Sequence, residues 1–313
     1  MKLIQPNYLK KGDTVAIVAP AGILKNKTEV INTAKLLLES WGLQVMLGEN
    51  MFNNGKHFAG TDKERTADFQ KALDNKNIKA IWAARGGYGS VRILDSLHFS
   101  AFLKNPKWII GYSDITVFHN HMHHLGVETL HGMMATSLHG EEEDIIETIA
   151  TFKKALFGEK LSYKITSSTY NRIDSLTNSI KGLEGQLVGG NLSILNSMLG
   201  SESQLNTDGK ILFIEEIGEY KYSIDRMLQS LKRAGYFKKV KAIIVGDISN
   251  IKNNTTKWGS PIEELILGVV PKEIPVIFNF PAGHEQDNRA LIMGRNIKVN
   301  STKNDNLITI CFD

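Results

Sequence analysis

Trp108-Ile109-Ile110-Gly111-Tyr112-Ser113-Asp114-Ile115-Thr116 is an apolar run that ends in glycine and passes through a serine into a helix-like segment. Read as strand, turn and helix, it lifts a hydroxyl out of the end of a sheet. A serine hydroxyl is a weak nucleophile at neutral pH and needs a base that is itself oriented by a third group. The same place is also an ordinary home for an N-cap serine. Chemistry-bearing residues at the ends of other apolar runs separate the two readings. Glu215 and Glu216 follow Leu212-Phe213-Ile214, and His284 closes Phe280-Pro281-Ala282-Gly283-His284 after the strand-like 276–278. Open α/β sheets collect ligands and chemistry at the carboxyl ends of their strands.

Outward from that stretch, short apolar runs alternate with amphipathic ones. The pattern predicts strands over 14–19, 43–47, 78–84, 107–110 and 128–130. Between them come helices over 27–41, with apolar spacing at Val30, Ile31, Ala34, Leu37 and Leu38, and over 61–73. Thr61 and Glu64 form a capping-box signature at the start of the second helix. The alternation argues for an α/β fold, a mostly parallel sheet flanked by helices, over 1–140. A linker is expected over 141–180, with an acidic start at Glu141-Glu142-Glu143-Asp144 suited to a helix N-terminus, a helix over 145–156 and a Ser/Thr/Asn-rich stretch over 167–179. The remainder, 181–313, mixes strands over 211–214, 242–245, 276–278, 297–299 and 307–311 with helices over 191–199, 223–234 and 262–269, and closes on a hairpin-like pair. It reads as a smaller α+β C-terminal domain.

Composition removes several classes of function. The 37 Lys+Arg and 33 Asp+Glu are interspersed and leave a net charge of +4, so no nucleic-acid surface is expected. The densest basic cluster, Phe237-Lys238-Lys239-Val240-Lys241, reads as a solvated helix end before a strand. Cys311 is the single cysteine, which rules out an internal disulfide and a cysteine on a strand-end turn of the glutamine-amidotransferase kind. No apolar run has the roughly 20 residues of a membrane span, and no signal-like stretch precedes Lys10. An intracellular, soluble protein is the expectation.

Gly86-Gly87-Tyr88-Gly89 follows the strand over 78–84 and lets backbone N–H groups approach a ligand, yet it has neither the dinucleotide spacing nor the Lys-Ser/Thr of a P-loop. His119, His121, His123 and His124 cluster after Ser113. His119 and His123 have the one-turn spacing of a helical zinc pair, but no third ligand completes a shell, and packing or surface histidines are the preferred reading. No metal or organic cofactor is called for. Glu215 and Glu216 alternate across a strand, so only one can face a partner such as His284. Arg85 and Arg289 are candidates for binding a free substrate carboxylate through a bidentate guanidinium.

Gly12-Asp13-Thr14-Val15-Ala16-Ile17-Val18-Ala19-Pro20-Ala21-Gly22, Ala84-Arg85-Gly86-Gly87-Tyr88-Gly89, Gly111-Tyr112-Ser113-Asp114, Gly189-Gly190-Asn191-Leu192-Ser193, Ile214-Glu215-Glu216 and Gly283-His284, in that order, together resemble the serine LD-carboxypeptidases. The resemblance spans nearly the whole chain. It implies a cytoplasmic, homodimeric peptidase that trims a terminal D-alanine from cell-wall tetrapeptides; its sister branch cleaves microcin-type peptidyl nucleotides. It further implies Ser113 as nucleophile, Glu215 as orienting carboxylate and His284 as base, with oxyanion donors at the Gly87 and Asp114 N–H groups. Gly86, Asn191 and Glu216 then join Arg85 and Arg289 as candidate substrate contacts. The microcin branch carries a stacking aromatic on an added loop, where 167–185 here has Tyr170 and no Trp. A rival of another class is a non-catalytic small-ligand module in which Ser113 only caps a helix.

Overall fold

The computed structural model describes residues 3–138, 142–173, 180–301 and 307–313. Glu141 and residues 174–179 of the expected linker lie outside the described residues, and the side chains of Glu142, Glu143 and Asp144 are not described. In chain order the elements are β1 (Thr14–Val18), α1 (Thr28–Ser40), β2 (Gln44–Leu47), the short hairpin β3 (Asn54–Gly55) and β4 (Phe58–Ala59), α2 (Asp62–Asp74), β5 (Ile78–Ala83), α3 (Ser90–Leu94), α4 (Ser100–Lys104), β6 (Trp108–Gly111), α5 (Thr116–His124), β7 (Thr129–His131) and α6 (Glu142–Phe157). After them come β8 (Ser162–Thr166), β9 (Ile180–Asn191), α7 (Leu192–Ser197), β10 (Ile211–Ile217), α8 (Lys221–Arg233), β11 (Ala242–Ser249), α9 (Ile262–Val269), β12 (Val276–Ile277), β13 (Leu291–Met293), β14 (Asn296–Ser301) and β15 (Leu307–Phe312).

The chain divides into two compact units, Met1–Glu159 with Gln286–Leu291, and Lys160–Glu285 with Ile292–Asp313. This differs from the expected linker over 141–180. Helix α6 belongs to the first unit because it buries Phe152, Ala155 and Leu156, and the Phe152 ring lies 5.2 Å from that of Trp82. Strand β8 belongs to the second unit, paired antiparallel with β15. The returning segment is tied to α6 by the Thr148 hydroxyl, which accepts from Asn288 N at 2.8 Å and donates to the Gln286 carbonyl at 2.7 Å.

In the first unit β2, β1, β5, β6 and β7 lie side by side and parallel. The chain steps from β1 to β2 on one side and resumes at β5 on the other, so the topological switch lies between β1 and β5. The loops leaving these strands meet there, with Gly22 N donating to the Gly86 carbonyl at 3.0 Å. β6, one strand further, delivers Ser113 to the same end of the sheet. The expected capping box of α2 forms in both directions, Glu64 N to Thr61 Oγ1 and Thr61 N to Glu64 Oε2. At the other end of α2, Lys107, the residue before β6, donates from Nζ to the carbonyls of Ala72, Leu73 and Asn75 at 2.8–3.0 Å. A cation there complements the helix dipole. Burial pushes this ammonium down to about 8.

The second unit holds a seven-stranded sheet in the order β12-β11-β10-β9-β14-β15-β8. Its first four strands are parallel and the rest antiparallel, including the expected closing hairpin of β14 and β15. Helix α8 buries Ile224, Leu228 and Leu231, a helical stripe, against Leu212, Ile214, Ile243 and Val245 of the sheet. Each such side chain contributes about 1.5–3 kcal/mol on burial. The basic cluster lies beyond the end of α8 rather than within it, with Phe237 and Val240 buried. β9 had no counterpart in the sequence pattern, because Gly182, Gly185, Gly189 and Gly190 interrupt its period. No helix among the described residues is long and apolar enough to cross a membrane.

Candidate active site

Ser113 follows β6 and takes φ +59, the left-handed region that costs a non-glycine residue about 1–3 kcal/mol. It opens a 3₁₀ turn, Ser113–Ile115, that runs into α5. The N-cap positions of turn and helix fall on Tyr112 and Ile115, and neither makes a side-chain cap bond. Ser113 thus occupies neither N-cap position. Strain of this kind concentrates at functional positions, where the surrounding structure holds a side chain at an angle that a relaxed backbone would not give it.

The Gly86 loop lies against this turn. A methyl group placed on Gly86 would come within 3.3 Å of Ser113 Cβ and 3.5 Å of Asp114 N, so the loop packs closely against the serine turn. Gly87 beside it is exposed. The N–H of Asp114 thus shares a corner with Ser113 and the glycine loop, the arrangement an oxyanion hole needs. The Asp114 side chain secures that corner. It is fully buried, and Oδ2 accepts from Ser90 N at 2.8 Å, just past the loop. Burial pushes the Asp114 carboxyl up, opposed by its bonds to Ser90 and Gly89 and by the charge of Arg65.

Arg65 is a residue the sequence reading missed. Its guanidinium is buried, donates to the carbonyls of Pro20 and Gly89, and pairs with Asp62, which Arg92 also holds. The Phe58 ring lies 4.8 Å away. One side chain thereby links the loop after β1 to the glycine loop after β5. The only sequence signal was an arginine on the inward stripe of an amphipathic helix.

In the second unit, Glu215 comes from the end of β10 and His284 from the turn after β12. His284 Nδ1 lies 2.8 Å from Glu215 Oε2. The carboxylate is fully buried, while 13% of the imidazole is exposed. A carboxylate can only accept, so Nδ1 carries the proton, and Nε2 becomes the nitrogen a general base would use. Burial draws the His284 pKa down, but the Glu215 hydrogen bond and the charges of Glu215, Glu216 and Asp247 outweigh it, and the net shift is upward from 6.5.

The histidine turn rests on β11. A methyl group on Gly246 would lie 2.2 Å from the Ala282 carbonyl oxygen, so the strand must carry glycine there. Asp247 N donates to that carbonyl at 2.9 Å, and Asp247 Oδ2 accepts from Glu285 N at 3.3 Å. Asp247 was also missed by sequence reading, although a Gly-Asp pair at a strand end was visible.

Glu216 points elsewhere. Its Oε2 accepts from Ser193 N at 2.8 Å and from the Ser193 hydroxyl at 2.5 Å, and its Oε1 accepts from Asn191 Nδ2 at 3.2 Å and from Ile217 N at 2.8 Å. With Asn191 capping Ile194 N, it organises the start of α7. Burial pushes its carboxyl up. Arg85 donates through Nη1 to the Ile23 carbonyl at 2.6 Å, next to Gly86. Arg289 grips Asp287 in a fork of 2.9 Å bonds. Of the histidine cluster, His119 is buried with both ring nitrogens engaged, Nδ1 with the Thr129 hydroxyl at 2.8 Å and Nε2 with the Gly111 carbonyl at 2.9 Å. A ring so engaged has no lone pair to offer a metal, and the described residues hold no group of three or more His, Cys, Asp or Glu placed to bind one.

Residues 15–132 match the LD-carboxypeptidase N-terminal domain and residues 184–299 the LD-carboxypeptidase C-terminal domain. The chain belongs to the LD-carboxypeptidase family, a family of peptidases. A probable murein peptide carboxypeptidase of Bacillus subtilis (strain 168) is 37% identical to it over 303 residues, covering 96% of this chain and 92% of the relative. The crystal structure of muramoyltetrapeptide carboxypeptidase from Oxalobacter formigenes is similar with a TM-score of 0.82 at 28% identity, over 96% of this chain and 98% of that one. MccF in complex with glutamyl sulfamoyl guanosine is similar with a TM-score of 0.83 at 25% identity, over 99% of this chain and 98% of that one.

Proposed function

We propose that this chain is a serine carboxypeptidase that hydrolyses the L,D-peptide bond before a terminal D-alanine of cell-wall tetrapeptides, through an acyl-enzyme. The observation that carries the serine mechanism is Ser113 at φ +59 on a strand-turn-helix, beside the glycine loop and the Asp114 N–H. In this mechanism His284 Nε2 takes the Ser113 proton as Oγ attacks the carbonyl carbon. The resulting oxyanion is held by Asp114 N–H and a glycine N–H of the Gly86-Gly87 pair. The C–N bond then breaks, His284 hands its proton to the departing amine, and water repeats the sequence to release the acyl group. Glu215 keeps the imidazole in the required tautomer. Arg85, beside the glycine loop, is the candidate for the substrate carboxylate, while the Arg289 fork is already filled by Asp287. Glu216 and Asn191 support the site through α7. The names of the Bacillus and Oxalobacter relatives support the substrate class. The same reading places the enzyme in the cytoplasm, as a homodimer, on recovered wall peptides.

The likeness to MccF with a sulfamoyl nucleotide supports a second reading, cleavage of a peptidyl or aminoacyl nucleotide. Incubation with purified muropeptides, followed by mass spectrometry, tests both when an aminoacyl sulfamoyl nucleotide is run in parallel. Conversion of tetrapeptide to tripeptide plus alanine is expected. Turnover of the nucleotide alone would move the activity to the second reading. Turnover of neither, with no labelling of Ser113 by a fluorophosphonate, would leave a binding module.

A further inference from the structure

His119 is buried at 2% exposure, one of four neighbouring histidines, and the reaction uses none of its chemistry directly. Its two contacts fix its state. The Gly111 carbonyl can only accept, so Nε2 carries the hydrogen, and Nδ1 accepts from the Thr129 hydroxyl. Burial pulls its pKa down to about 4, so the ring stays neutral through the ordinary working range. The carbonyl it holds belongs to the last residue of β6, two before Ser113. That oxygen also accepts from Gly132 N at 3.2 Å, beside β7. The main-chain bond ties it to the sheet, and the imidazole ties it to α5, whose N-cap residue Ile115 makes no side-chain cap bond. The junction is tight in other respects, since the Cβ position of Gly111 lies 2.7 Å from Ile115 Cγ1.

We propose that His119 is a positioning residue of the serine turn: with Thr129 fixing its tautomer, its Nε2–H reaches back from α5 to the Gly111 carbonyl, closes the Gly111–His119 segment, and keeps Ser113 in its left-handed conformation. This rests on the reading of Ser113 as the nucleophile. Displacement of a reacting group by about 1 Å costs on the order of a hundredfold in rate, so a turn held by one side chain is a sensitive lever.

The test uses the full-length enzyme, an L,D-tetrapeptide for turnover, a fluorophosphonate for the labelling rate of Ser113, and thermal melts. His119→Met keeps the bulk and removes the donor; kcat should fall roughly 10- to 100-fold, with KM changed by less than about threefold and labelling slowed in step. His119→Gln can still donate to the carbonyl and should keep kcat within about threefold of the parent. Thr129→Val releases the tautomer, should fall between the two, and should add nothing in the His119→Met background. Unchanged kcat in His119→Met, or equal losses in the Met and Gln variants, would overturn the proposal. If both His119 variants fail to fold, Thr129→Val decides, and parental labelling of Ser113 in that variant overturns it. Ser113→Ala keeps the two claims apart. An inactive Ser113→Ala with a flat His119 series removes only the positioning role, whereas an active Ser113→Ala removes the nucleophile and this role together.

Discussion

In the turn after β6 the strain falls on the proposed nucleophile itself. Ser113 is the left-handed residue, and its turn is shaped by a buried imidazole bound to Gly111 and by a closely packed glycine loop. In the turn that bears His284, Gly283 takes φ +146 just before the histidine, and Gly246 clears the space behind it. Charge then does the orienting, through a buried Glu215 at 2.8 Å with Asp247 and Glu216 adding to the field. A hydroxyl needs exact placement but no standing charge. A base must change charge during turnover, so its surroundings have to stabilise the protonated ring without trapping it. The serine turn should therefore respond to changes of shape, and the histidine turn to changes of charge and pH.

The harshest test removes the hydroxyl. Ser113→Ala should lower kcat by at least about 10⁴-fold, the scale seen when a triad nucleophile is lost, with a melting temperature close to the parent's. Retained turnover would remove the contrast at its source, and a lower melting temperature would show that the side chain holds the turn together.

Glu215→Gln leaves the shape of the histidine turn and removes its charge. A fall in kcat of about 10³- to 10⁴-fold is expected, as for loss of a triad carboxylate elsewhere. Glu216→Gln should act on stability instead, by about 1–3 kcal/mol, because it disturbs a buried acceptor at the start of α7. The reverse ranking would transfer the orienting role to Glu216.

A shape change in the histidine turn comes next. Gly246→Ala sets a methyl 2.2 Å from the Ala282 carbonyl oxygen, a main-chain atom that must move. We expect kcat to fall by roughly tenfold to a hundredfold, together with a lower melting temperature. An unaffected enzyme would mean that the turn tolerates displacement.

The smallest effect is a shift along the pH axis. In the proposed mechanism His284 must be neutral to accept the serine proton, and its pKa is raised above 6.5. Activity should therefore be lost as pH falls, with the acid limb of kcat/KM above 6.5 in the parent and lower in whatever activity Glu215→Gln retains. Stability runs the opposite way. A raised folded-state pKa gives a contribution that is complete below the unfolded value and disappears as pH rises through the folded one. An acid limb at or below 6.5 would show that Glu215 does not control the ring.

The amino-acid sequence by itself determined what depends on neighbours a few positions apart. The capping box of Thr61 and Glu64, the helix Ile262–Val269, the apolar run into Gly111 and Ser113, and the closing hairpin follow from periods of two and 3.6 residues and from local caps. These also placed Ser113, Glu215 and His284 at strand ends. Only the tertiary structure decided which partners meet. Glu215 and Glu216 are adjacent in sequence, and the register of β10 between β9 and β11 turns one toward His284 and the other toward Ser193. Arg65, Asp247 and His119 carry no local signature of their contacts, because each bonds a main-chain group supplied by another element. The strand character of β9 and the allegiance of α6 were likewise hidden, since glycines erase a period and an amphipathic helix does not say which core will bury its apolar face.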